Sequence, residues 1–85
     1  MADEEGSELR ERREQLRRFV LLRSEDVSGV SGLGVVAEGI EFSDGVVCLR
    51  WCTGEHRSSV LWDEGVAGVE AVHGHGGRTR VVFLD

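Results

Sequence analysis

The chain has no lysine, asparagine, proline or tyrosine, and only two cysteines among 85 residues. Its longest uncharged apolar run, Phe19 to Leu22, is far short of the roughly 20 residues a membrane-spanning helix requires. The first residues, Met1 to Glu5, are polar and acidic, the opposite of a cleavable secretory signal. Two cysteines cannot build the disulfide framework of a small secreted domain. The expectation is therefore a cytoplasmic protein with no membrane partner. The length allows one small domain and excludes a cofactor-sized cleft between two lobes. All ten basic residues are arginine, which together with the missing lysine and asparagine reflects a GC-rich coding bias rather than a function.

What is present is β-forming. Hydrophobic residues make up 40% of the chain, enough for a core and too many for a disordered segment. Valine is the most abundant of them, and β-branched side chains suit a pleated, half-buried surface. Twelve glycines punctuate the valine-rich stretches. The net charge of −6 falls entirely after residue 23, because the six arginines before that point balance six carboxylates. A net-negative body repels phosphate backbones, and no aromatic-plus-basic stripe is available to stack bases. A nucleic-acid partner is disfavoured; the arginines at 10, 12, 13, 17 and 18 are its one remaining argument.

Local patterns give the organisation. Residues 1–18 read as an acidic start followed by a charged helical lead-in, with Ser7 as its cap and good helix formers from Glu8 to Arg18. Its apolar stripe is thin, so it frays unless something covers Leu9 and Leu16. From residue 19 to 85 the period becomes two. Strands are expected at Phe19–Arg23, Val35–Phe42, Val46–Cys52, Ser58–Trp62 and Arg78–Leu84. Gly39 reads as a bulge, Ser43-Asp44-Gly45 as a hairpin turn, and Asp63 as the cap of a short helical turn carrying Val66, Val69 and Val72. The element order predicts a mainly β fold, a small five-stranded SH3-like barrel, with an open sheet packed by the N-terminal helix as the alternative. The expected core is Leu21, Val36, Ile40, Val47, Leu49, Trp51, Val60, Val69, Val72, Val81 and Phe83.

Candidate chemistry is sparse. Cys48 and Cys52, four residues apart on a strand, are about 13 Å apart, too far to form a disulfide or share an ion. Gly32-Leu-Gly34-Val-Val-Ala37 matches the spacing of a dinucleotide fingerprint but leads into a strand and hairpin, so no cofactor is expected. Ser28 and Ser31 lack the context of a nucleophile elbow, and the expectation is no enzyme. The small-residue loop Ser28–Gly34 and the segment Gly74–Gly77, followed by Arg78, can each aim backbone N–H groups at an anion, although both read first as turns. His73 and His75 alternate, and in an extended segment would converge on one side. With His56 or Asp26 they form the alternative reading, a metal or anion site; the plainer reading is a histidine packed at the end of the short helix.

The motifs DVSGVSG (26–32), VAEG (36–39), FSDG (42–45), LRW (49–51) and HGHGG (73–77) together resemble a group of short proteins of actinobacteria, their phages and haloarchaea. The resemblance runs over about residues 17–85 and leaves out the helical N-terminus. Cys52 stands where that group has an aliphatic residue and Phe83 where it has Trp or another large apolar residue, which speaks against a cysteine-based family site. The resemblance implies a fold and no reaction. The resulting expectation is a non-enzymatic binding or regulatory module for another protein. Its contact residues would be Asp26, Ser28, Ser31, His73, His75 and Arg78, on polar loops carried by a rigid scaffold.

Overall fold

A computed structural model describes residues 2–25, 33–55 and 57–85. The elements are α1 (Ala2–Gln15), β1 (Arg17–Arg23), β2 (Gly34–Glu41), β3 (Val47–Trp51), β4 (Ser59–Trp62), α2 (Gly65–His73) and β5 (Thr79–Phe83), with a 3-10 turn at His75–Gly77. The five strands form one antiparallel sheet in the order β4-β3-β2-β1-β5. Each expected strand is present within two residues of its expected ends. The anticipated Asp-Gly hairpin is also present: Phe42 N donates to Val46 O at 2.8 Å, and Asp44 Oδ1 accepts from Val46 N at 3.1 Å.

The barrel is not. Among the described residues β4 and β5 are the two edges of an open sheet, with no ladder between them. The short helical turn expected before the last strand is a nine-residue helix, so the fold is mixed α/β. α2 crosses from one edge to the other and covers the face that closure of the sheet would have buried. The open-sheet alternative thus holds for the sheet, but α2 rather than the N-terminal helix packs its core.

Register assigns the two faces. Phe19 and Leu21 of β1 lie opposite Gly39 and Ala37 of β2, which lie opposite Leu49 and Trp51 of β3. Phe83 and Val81 of β5 continue the same rows. These side chains and Val69 of α2 form the core, with Phe19, Leu21, Val36, Ala37, Val47, Leu49 and Val69 buried and Trp51, Trp62, Val66, Val81 and Phe83 packed around them. A bulge in β2 shifts the register between Leu21 and Leu22, skipping Val36 so that both Val36 and Ala37 are buried. The bulge is therefore at Val36 and not at Gly39. Gly39 sits in regular register because the Phe19 ring occupies the space its Cβ would need.

Three residues expected in the core are exposed. Ile40 faces the other side of the sheet, opposite Cys48 and Arg18. Val60 points to the core face but lies on edge strand β4, with no strand beyond it among the described residues. Val72 rotates out because a spacing of three residues drifts by about 60° per step around a helix. The helix caps also differ: Glu64, not Asp63, precedes α2, and its side chain makes no capping bond.

α1 starts earlier and ends earlier than its sequence suggests. The acidic start is helical from Ala2, and Arg17 and Arg18 belong to β1. Arg17 Nη2 pairs with Glu41 at 2.8 Å and its guanidinium lies 3.9 Å from the centre of the Phe83 ring. Arg18 forks onto the Asp85 carboxylate, which is held down to about 2 by the side-chain bonds from Arg18. Leu9 of α1 is 63% exposed and Leu16, just past its end, 40%, and Arg12 Nη1 donates to Ser43 Oγ of the β2–β3 turn at 3.4 Å.

Candidate functional site

The C-terminal ends of β1 and β3, the N-terminal ends of β2, β4 and β5, and the C-terminus of α2 all lie at one end of the sheet, as the antiparallel order requires. Asp26, Ser28, Ser31 and His56 lie outside the described residues. Ser24 and Glu25, which precede Asp26, are tied to the turn before β5. Ser24 N and Ser24 Oγ both donate to Arg78 O, at 2.8 and 3.1 Å. Arg78 Nε reaches Glu25 Oε2 at 3.2 Å. The two residues that follow β1 therefore lie against Arg78, which ends the Gly74–Gly77 turn.

His73 and His75 do not lie on an extended segment. His73 ends α2, and its half-buried ring stands edge-on to two indoles, 4.9 Å from Trp51 and 5.6 Å from Trp62. Trp62 Nε1 is buried beside it with no hydrogen-bond partner among the described residues. His75 lies in the following turn at a φ of +50°, the sole non-glycine residue with positive φ among the described residues. Gly76 and Gly77 continue the left-handed turn at φ +68° and +94°, a conformation glycine adopts without the penalty a Cβ brings. The turn closes through Gly74 O, which accepts from Gly77 N and Thr79 N, both at 3.0 Å. Most of the HGHGG motif is thus chain reversal and packing. His75 is the exception, a side chain kept where glycine would be less strained.

Beneath the turn lies a buried cation that the sequence reading did not single out. Arg23 is 3% exposed and its Nε donates to Thr79 Oγ1 at 2.8 Å. Its position was readable, since Phe19, Leu21 and Arg23 share one face in a period of two.

Burial, then His75 and Arg23, hold the His73 imidazole below its ordinary 6.5, so at neutral pH it is the uncharged ring against the indoles. The unfolded chain binds this proton at a higher pH than the folded one. His73 therefore contributes stability that is complete above about 6.5 and is lost as pH falls from there through its lowered folded value. A titration of the His73 ring protons by NMR should give a midpoint below 6.5, and H73F should flatten the fall of melting temperature over that window. A midpoint at or above 6.5 contradicts the packing described.

The cysteines are both free. Cys48 lies on the outer face of β3, and Cys52, just past the strand, donates from Sγ to Glu38 Oε1 at 3.4 Å. Burial first, then Glu38, pushes the Cys52 thiol up, which keeps it protonated and a poor nucleophile.

Fold and site together describe a small mixed α/β domain, an open antiparallel sheet with a helix on one face and a glycine-rich turn at one end. Residues 16–85 match the family model described as Acb5 phage protein, and the chain belongs to that family. The match begins at Leu16, so the fold from β1 onward is the family domain and α1 precedes it. No curated protein and no solved structure matches the chain.

Proposed function

We propose that the domain is a non-enzymatic binding module that takes another protein on the loop end of its sheet. The carrying observation is the bridge from Ser24 and Glu25 to Arg78, which sets the first two residues after β1 against the turn before β5. Polar loops fixed to a rigid sheet are where recognition concentrates. His75, held at positive φ, and Arg78, exposed beside it, supply hydrogen-bonding groups on that surface. Two further features support binding over catalysis: His73 is committed to packing against the indoles, and the Cys52 thiol is held protonated. The arginines near the N-terminus favour protein over nucleic acid as partner, since Arg17 and Arg18 are already paired with Glu41 and Asp85.

The test is affinity capture from host cells with wild type, R78A and S28A/S31A. The expected result is a protein captured by wild type and lost from both variants, each retaining its far-UV circular dichroism. Equal capture by all three proteins would remove the loop end as the contact surface. No helix among the described residues is long and apolar enough to cross a membrane.

A further inference from the structure

We propose that β4 is a self-pairing edge, through which two copies of this chain join antiparallel about a two-fold axis at Val60. The inference goes beyond the loop-end reading and does not depend on it.

Among the described residues both edges of the sheet are open, but they are not alike. β5 carries Arg80 as its second residue, a charge that discourages pairing with another strand. β4, Ser59-Val-Leu-Trp62, carries no charge, and its Val60 and Leu61 are 42% and 65% exposed. The phase of its ladder is fixed by the bond from Trp51 N to Ser58 O at 2.9 Å. Trp51 and Ser58 thus form a hydrogen-bonded pair, and two residues further along so do Leu49 and Val60, then Val47 and Trp62. Val60 and Trp62 spend their backbone groups on β3, whereas the N–H and C=O of Ser59 and Leu61 point outward.

That phase restricts how a second copy can pair. In an antiparallel ladder the outward groups must meet outward groups. Two-fold axes at Ser59, Val60 or Leu61 all satisfy this, and the one at Val60, which places Ser59 opposite Leu61 of the second copy, is selected by the charges that flank the strand. The same register sets Arg57 opposite the second copy's Asp63. The strand is therefore flanked by a cation at one end and a carboxylate at the other, and an antiparallel copy matches each to its opposite. Both residues are exposed; Arg57 uses one of its five donors on Gly54 O at 2.6 Å. A parallel arrangement would set like charges together, which destabilises a pair. The occupant that fits this edge is a second copy of the same chain. The joined sheet would carry its two loop ends at opposite ends, giving a bivalent binder.

Sedimentation equilibrium of the full chain at low salt tests the pairing. Wild type is expected to show a concentration-dependent monomer–dimer equilibrium. L61K, which puts a charge on the exposed edge, should shift it to monomer with unchanged circular dichroism. R57D and D63R should each weaken association by about tenfold, because like charges then face across the axis. The double variant R57D/D63R should restore it, a rescue that a general loss of folding would not give. A wild type that stays monomeric at millimolar chain concentration overturns the proposal. So does a dimer indifferent to L61K, or a double variant no better than the single ones.

Discussion

Replacing Gly39 with alanine should cost the domain about 3 kcal/mol, the upper end of what overpacking costs. The added methyl group would overlap the tip of the Phe19 ring, at Cζ and the two Cε atoms, and that residue is 1% exposed with nowhere to retreat. Phe19 is held from the far side by the edge of Phe83, at a centroid distance of 5.8 Å, and Phe83 in turn lies under Arg17. For a domain of this size, whose whole stability is of the order of 5–15 kcal/mol, the loss corresponds to a fall in melting temperature of about 15 °C. Phe19→Ala, which empties the same space, should cost about 3–5 kcal/mol. The pair is diagnostic because the two faults offset each other: F19L/G39A should recover part of what G39A loses. Thermal and urea unfolding of the variants decide it. A G39A protein as stable as wild type would mean that Phe19 does not seat on the glycine backbone.

The same glycine shows where sequence reasoning stops. A glycine inside a strand signals either a bulge or a close approach, and nothing local distinguishes the two. The choice depends on what lies across the ladder, here the Phe19 ring, and that is a pairing between segments about twenty residues apart. Moving the bulge to Val36 accounts for the core as well. Val36 and Ala37 are both buried, and the parity beyond them turns Ile40 outward. The strands were legible because period two is a local property. Closure into a barrel was not, because it depends on whether the segment after β4 stays a single turn or extends over the sheet. Gly65 and Gly68 argue for the shorter form, yet the burial of Val69 and the packing of Val66 are enough to hold nine residues helical.

The candidate site divides in the same way. That the HGHGG segment reverses the chain before the last strand was readable from its glycines. Convergence of His73 and His75 assumed an extended backbone, whereas α2 runs through His73 and the chain is left-handed at His75. The indole neighbours of His73 come from two other strands, and no spacing in the sequence announces them. Arg78 was singled out for an anion nest; its place beside Glu25 follows from the pairing of β1 with β5.

Thr79→Val should be the most damaging of the conservative changes at the loop end. The substitution keeps the shape of a residue that is 2% exposed and removes the hydroxyl that accepts from Arg23 Nε. A guanidinium so deeply buried cannot replace that bond with water. The expected cost is about 1.5–3 kcal/mol, the range for a hydrogen bond to a charged group. T79S, which keeps the oxygen, should recover most of it. R23M/T79V should be more stable than T79V alone, since replacing both partners by apolar groups leaves no stranded charge. Because Arg23 helps hold the His73 proton off, R23M/T79V should also move the His73 titration upward. Urea unfolding and the His73 ring resonances read the two effects separately. If T79V unfolds with wild type, or His73 titrates unchanged without Arg23, the buried cation does not organise this end of the sheet.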